Sequence, residues 1–350
     1  MFSLLKEKLG LGPAPAAAPE PNWTDADPCA ACLMPCEAPA ASISKGMLKT
    51  ISPPDEMHAA GVKPHSRHIL FRGGQAKAWP GHLEEADGDS VGRVLVTAFA
   101  KVDAAPPRRR PSSAGSSAGE LSGDVATAGS GAVRKTFINC IENAAASGAA
   151  AAAAAPSATS PSAAVATNDY DATNCVEVWC FPERLYFPHL DAAQVPLVAK
   201  AIGEYAAIPA GVAYTQFPTH PLALLTGTDP LARDATTPRP RFWIGICGHM
   251  KRDKRCGVIG PMLADTFRRQ LPRYHLDGSV EVFLTSHYGG HKFAGNLIIF
   301  STIDALNGVW YGRVTPECVQ GIIEQTLLQG KVFQTLYRGR MNQQASPMQW

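Results

Sequence analysis

RFWIGICGHMKRDKRCGVIGPMLADTFRRQL, residues 241 to 271, is the stretch that decides the fold. Its first seven residues form a run rich in aromatic and β-branched side chains, which predicts a buried strand ending at Cys247. Gly260 and Pro261 then open a helix, PMLADTFRRQL, because proline suits the first helical turn, where its missing N–H costs nothing. Leu263, Phe267 and Leu271 recur at i, i+4 and i+8 and mark the face that helix buries. The polar loop between strand and helix carries Cys247 at one end and Cys256 at the other.

Downstream, VEVFLTS (280 to 286) alternates as a strand, and NLIIF (296 to 300) reads as a continuous buried strand. Thr315 and Pro316 form an N-cap and first-turn pair for a helix that turns Val319, Ile322, Ile323 and Leu327 inward and closes at Gly330. The resulting order, β, α, β, β, α, is the thioredoxin-like one. It predicts a C-terminal domain over 241–340 with a tail at 341–350.

Upstream, residues 217–240 are dense in Pro, Thr and Asp and read as a linker. Before it, residues 60–216 read as an N-terminal α/β domain. HILF, RVLVTAFAKV and CVEVWCFPERLYF are its expected strands; WPGHLEEA, VRKTFINCIENAAA and DAAQVPLVAKAIGEY are its expected helices. Two low-complexity inserts, about 104–132 and 145–170, interrupt it, the second holding seven consecutive alanines from Ala149 to Ala155. Residues 1–59, rich in Pro and Ala, read as a disordered leader that carries Cys29, Cys32 and Cys36.

A length of 350 residues accommodates two such domains. The formal net charge of +2 is too mild to point to nucleic acid as a partner, and no segment approaches the ~20 apolar residues that span a bilayer. The apolar run that precedes Lys6 is too short for the core of a secretory signal. Nine cysteines, an odd number and clustered, read as reduced thiols or metal ligands in an intracellular protein.

Four of the candidate ligands sit at strand ends, where α/β sheets gather their functional loops. Cys247 and Cys256 flank the loop GHMKRDKR, and His287 and His291 flank YGG, whose two glycines disfavour a helix. Two soft thiolates with two imidazoles suit tetrahedral zinc or a [2Fe-2S] cluster. Eight residues between the cysteines is longer than the usual zinc knuckle, yet on the residues alone iron-sulfur, zinc and no metal all stay open. No carboxylate pair is placed for glycoside chemistry.

The runs RDKRCGVIGP and SHYGGHKFAGNLIIF, with Trp310, Tyr311, Gly312, Thr315 and Pro316, resemble the sucrase/ferredoxin-like family of thioredoxin-like ferredoxins. The ending GKVFQTLYRGRMN is similar to a mitochondria-linked branch of it. The resemblance is dense over 240–340 and looser over 60–216, through KPHSRHILF, WPGHLEE and the CVEVWCFPE strand. It implies a thioredoxin-like ferredoxin domain and a [2Fe-2S] cluster held in bis-histidinyl fashion by Cys247, Cys256, His287 and His291. It also implies electron transfer or thiol redox homeostasis with an unknown redox partner protein, in mitochondria, with the cytoplasm as the alternative. Replacing thiolates by imidazoles raises a cluster's potential, and the outer ring nitrogens would make electron uptake proton-coupled.

The remaining features carry weaker signals. His249 reads as a solvated or hydrogen-bonded loop histidine, and Lys251, Arg252, Lys254 and Arg255 as either a docking patch for an acidic donor or a solvated face. Lys292 and Asn296 read as support for the loop. Cys29, Cys32 and Cys36 have the spacing of a secondary redox or thiol-oxidoreductase site, although no strand leads into them. Cys140, Cys175, Cys180 and Cys318 read as core. The ending Met348, Gln349, Trp350 resembles a terminal-tryptophan tag that docks the cytosolic iron-sulfur assembly machinery. A zinc-stabilised interaction module is the competing reading.

Overall fold

The computed structural model describes residues 20–33, 42–85, 90–104, 135–142, 175–204, 215–216 and 241–341. Both inserts, the linker, Cys36 and Trp350 lie outside the described residues.

The C-terminal half builds on two parallel strands, β7 (Phe242–Cys247) and β8 (Val280–Thr285), paired over six positions and joined through a helix, α5 (Lys254–Gln270). β9 (Leu297–Ser301) runs antiparallel on the other side of β7, and β10 (Val309–Tyr311) antiparallel to β9. β7 and β9 bury every residue, as strands covered on both faces must. The helix begins at Lys254 rather than at the Gly260–Pro261 pair, capped by Asp253, whose carboxylate accepts from the Arg255 N–H. Cys256 therefore lies in the first turn of α5 and not in the loop before it. Pro261 is tolerated within the helix, and Gly260 is there because α5 packs on the end of β7: a Cβ at Gly260 would strike the Cys247 carbonyl. A short helix, α6 (Cys318–Gly321), continues with wider turns through Leu328 and buries Val319, Ile322, Ile323 and Leu327 as the pattern predicts.

The N-terminal half repeats this plan. β2 (Arg67–Arg72) and β3 (Thr136–Ile141) pair in parallel over six positions, with α3 (Val91–Ala104) between them in the chain. β4 (Cys175–Phe181) is antiparallel to β2, β5 (Leu185–Asp191) to β4, and α4 (Val195–Glu204) follows. Two assignments made from the sequence are exchanged here. RVLVTAFAKV is helical: Val91, Leu95, Ala98 and Phe99 are buried at helical spacing, so period outweighs the β-branched composition. VRKTFINCIENAAA holds strand β3, whose inner half is fully buried between β2 and β8 and so mimics a helix face. CVEVWCFPERLYF is two strands, with residues 182–184 as the turn.

These eight strands and two short ones form one mixed sheet, in the order β12-β10-β9-β7-β8-β3-β2-β4-β5-β6, with β6 (Thr215–Gln216) and β12 (Tyr337–Arg340) at the edges. The halves join where Ile141 faces Thr285. The Glu142 N–H donates to the Leu284 carbonyl at 3.1 Å and the Ser286 N–H to the Cys140 carbonyl at 2.8 Å. In the matched registers these two bonds are equivalent, so the junction is pseudo-twofold. Phe181 and Phe300, also equivalent, stack at 4.5 Å.

Part of the expected disordered leader is built into the fold. β1 (Asn22–Thr24) pairs in parallel with β11 (Lys331–Phe333), and the side chain of Trp23 packs edge-on to Tyr337 at 4.9 Å. Helices α1 (Lys45–Leu48) and α2 (Pro54–Ala60) follow, and α2 buries Met57. These elements carry too little periodicity to be read alone, because their partners lie about three hundred residues away in the chain.

Candidate metal centre

Three ligand atoms converge at the C-terminal end of β7: the sulfurs of Cys247 and Cys256 and a ring nitrogen of His287, all within 4.8 Å of one another. β7 delivers Cys247, the first turn of α5 delivers Cys256, and the chain leaving β8 delivers His287. Both sulfurs are buried, and Cys247 Sγ lies 3.5 Å from His287 Nδ1. The S–H of Cys256, donated to Cys247, and the adjacent His287 hold the Cys247 thiol down to about 5, despite burial. The same bond and burial push Cys256 up, so the pair gives its first proton readily and the second only to a cation.

His291, the fourth expected ligand, is not part of this group. Gly289 and Gly290 both take positive φ, 97° and 72°, and lead into a single turn at His291–Phe293 that leaves His291 exposed, its ring 5.5 Å from that of His287. The converging set is two cysteines and one histidine, which overturns the expected Cys2His2, bis-histidinyl [2Fe-2S] ligation and the proton-coupled behaviour reasoned from it.

The surroundings fix these donors. Of the two readings of His249, the hydrogen-bonded one holds: it is buried, and its Nδ1 accepts from the His287 N–H at 3.2 Å, which orients the backbone at His287. Burial foremost, then the nearby His287, lowers His249 to about 4. Tyr288 OH accepts from the Cys247 N–H at 3.2 Å and donates to the Asn296 carbonyl at 2.7 Å; burial pushes its phenol well above the usual value. Asn296 supports the loop as expected, its amide donating to the Gly290 carbonyl at 2.9 Å.

Sequence reasoning missed Tyr288 and Arg338. The guanidinium of Arg338 donates to Asn296 Oδ1 at 2.8 Å, lies over the rings of Phe293 and Trp310, and forms no ion pair among the described residues. Burial lowers it to about 10. A Cβ at Gly290 would collide with it, a second reason for that glycine. The basic loop is tied to its neighbours rather than wholly solvated: Arg255 pairs with Asp253 at 2.9 Å and donates to the Thr50 carbonyl, and Arg252 meets His82 at 2.6 Å.

Cys29 and Cys32 belong to a different element. Their segment packs on residues 321–325, where the Leu33 N–H donates to Glu324 and the Gln325 amide donates to the Ala31 carbonyl at 3.1 Å. Cys140 and Cys180 are fully buried, as expected, and Cys318 is half-buried; Cys175 lies in β4.

Two thiols and an imidazole gathered at a strand end of a mixed α/β sheet define a redox or metal-binding protein. The chain belongs to the sucrase/ferredoxin-like family, whose profile matches residues 59–339. It is similar to "Altered inheritance of mitochondria protein 32" of Clavispora lusitaniae, 49% identical over 104 residues, 30% of this chain and 37% of that protein. The protein of the same name from Debaryomyces hansenii is 46% identical over 96 residues, 27% of this chain and 34% of that one. "Actin patches distal protein 1" of Saccharomyces cerevisiae is 38% identical over 98 residues, 26% of this chain and 31% of that one. The chain thus spans about a third of the length of these curated relatives. No described helix is long and apolar enough to cross a membrane.

Proposed function

We propose that the chain is an electron-carrying protein whose iron-sulfur cofactor, of the [2Fe-2S] kind, is held by Cys247, Cys256 and His287, its remaining coordination position being filled from outside this set. The observation that carries the reading is the three-donor convergence, with both sulfurs buried. The donor set suits the group: thiolate is the ligand iron-sulfur clusters share, and imidazole replaces it in some. Such a cofactor supplies a reversible one-electron step. The protein's part is to keep water from the sulfurs, to orient His287 through His249, and to fix Cys247 through Tyr288 and Asn296. The thioredoxin-like reading of the C-terminal half is supported by the strand order β8-β7-β9-β10, that is second, first, third, fourth. A mitochondrial location is supported by the relatives' name alone.

The test is anaerobic purification of the full chain with iron, zinc and acid-labile sulfide analysis. Iron with equimolar sulfide is expected, lost in Cys247→Ser and Cys256→Ser. Zinc without sulfide would replace this reading with a zinc-stabilised module.

A further inference from the structure

A cavity of about 730 Å³ opens between the two halves, with the ligand His287 in its wall. The C-terminal half contributes His249, Trp310 and Arg338; the N-terminal half contributes Phe99, Phe137 and Lys135. Sites for drug-sized ligands fall at about 300 to 1,000 Å³ and favour junctions between structural units.

The wall is chemically lopsided. Phe99, Phe137, Phe293, Trp310 and Val62 make it apolar, while Lys63, Lys135 and Arg252 stand exposed at its rim and Arg338 lies inside it. Among the described residues Lys63, Lys135 and Arg338 have no carboxylate partner. On the acidic side are Glu84, exposed, and Asp103, already held by the Thr136 N–H at 2.7 Å and hydroxyl at 2.9 Å. Burial of the Arg338 guanidinium is costly, the nearby Cys247 and Cys256 sulfurs offset only part of that cost, and an anion entering the cavity offsets more.

We infer that this cleft binds a small organic anion, a carboxylate or phosphate on an aromatic or otherwise apolar body, beside the metal centre. The inference deepens the proposed function by naming the ligand class of the same site, and it rests on that reading only for what the anion does there. The apolar body lies against Phe99, Phe137 and Trp310, and its charge faces Lys63, Lys135 and the field of Arg338. The N-terminal half, which has Arg72 where β7 has Cys247, thereby supplies the wall over the centre rather than a second centre.

Isothermal titration of the full chain, metal-free and metal-loaded, tests this with 1-naphthylacetate, 1-naphthyl phosphate and the neutral 1-naphthaleneethanol. The anions are expected to bind saturably and at least about tenfold tighter than the alcohol. Charge reversal at the exposed rim, Lys63→Glu with Lys135→Glu, is expected to cost the anions about tenfold or more and to leave the alcohol unchanged. Preference for one anion assigns the head group. Absence of saturable binding, equal affinity for the alcohol, or indifference to the charge reversal would overturn the inference. Because binding is read on metal-free protein too, its failure is separable from a failure to find iron and sulfide.

Discussion

The two halves of the sheet share a plan and differ in chemistry. In both, the first strand pairs in parallel with the second over six positions and antiparallel with the third, in matching register. Where β7 ends on Cys247, β2 ends on Arg72, which forms ion pairs with Glu177 at 2.7 Å and Glu281 at 3.1 Å. Where β7 has Trp243 packed on Phe181, β2 has His68 packed on Phe300. One half carries donors at its strand end; the other carries a salt-bridged cation at the same position. The lesson is that backbone plan and site chemistry vary independently, so function has to be argued from the site.

The largest difference between the halves lies at the donors. Cys256→Ser is expected to abolish metal binding, whereas Cys140→Ser, at a buried thiol of the other half, lowers stability and leaves the metal-to-protein ratio of the folded fraction unchanged. Elemental analysis checks both. Next come the paired aromatics at the junction: Phe181→Ala and Phe300→Ala should each cost about 3 to 5 kcal/mol in urea unfolding. Their double mutant should cost less than the sum, by about 0.5 to 1.5 kcal/mol, because the stack is lost once. Additive losses would mean that the halves are not coupled there.

A smaller effect is read by pH. Burial holds His68 at about 3 and His65 at about 4, against 6.5 for a free imidazole. Below pH 6.5 the unfolded chain takes up protons that the folded chain refuses, so these groups make stability fall steadily as pH drops from about 6.5 towards 4. Urea midpoints in His68→Gln should decline less steeply over that window than those of the parent. The smallest expected difference lies within the centre's own loop: His287→Ala should lose more metal than His291→Ala, in line with the converging set of three.

Much of the C-terminal half was legible because its elements are locally consistent. β7, β8, β9 and the inward face of α6 carry their own periodicity, and Cys247, Cys256 and His287 fall at their ends. The start of α5 was misplaced because Pro261 is a stronger local signal than the Asp253 cap. In the N-terminal half, the β-branched composition of α3 masks a helical period that is present locally, whereas β3 imitates a helix face because strands distant in sequence cover its inner half. Spacing and resemblance both point to His291 as a ligand, and neither conveys that the left-handed Gly289–Gly290 turn leaves it exposed. Arg338 and β1 were invisible for a similar reason, since their meaning lies wholly in tertiary contacts.

The most direct test of the central claim is a redox titration of the anaerobically purified full chain, followed by visible absorption and EPR, beside the same titration of Cys256→Ser. Iron-sulfur absorption is expected to bleach reversibly as a paramagnetic signal appears on reduction, with both absent from the variant. A chain whose metal gives no redox response, or a variant that keeps the signal, would rule out a redox-active cluster on these cysteines.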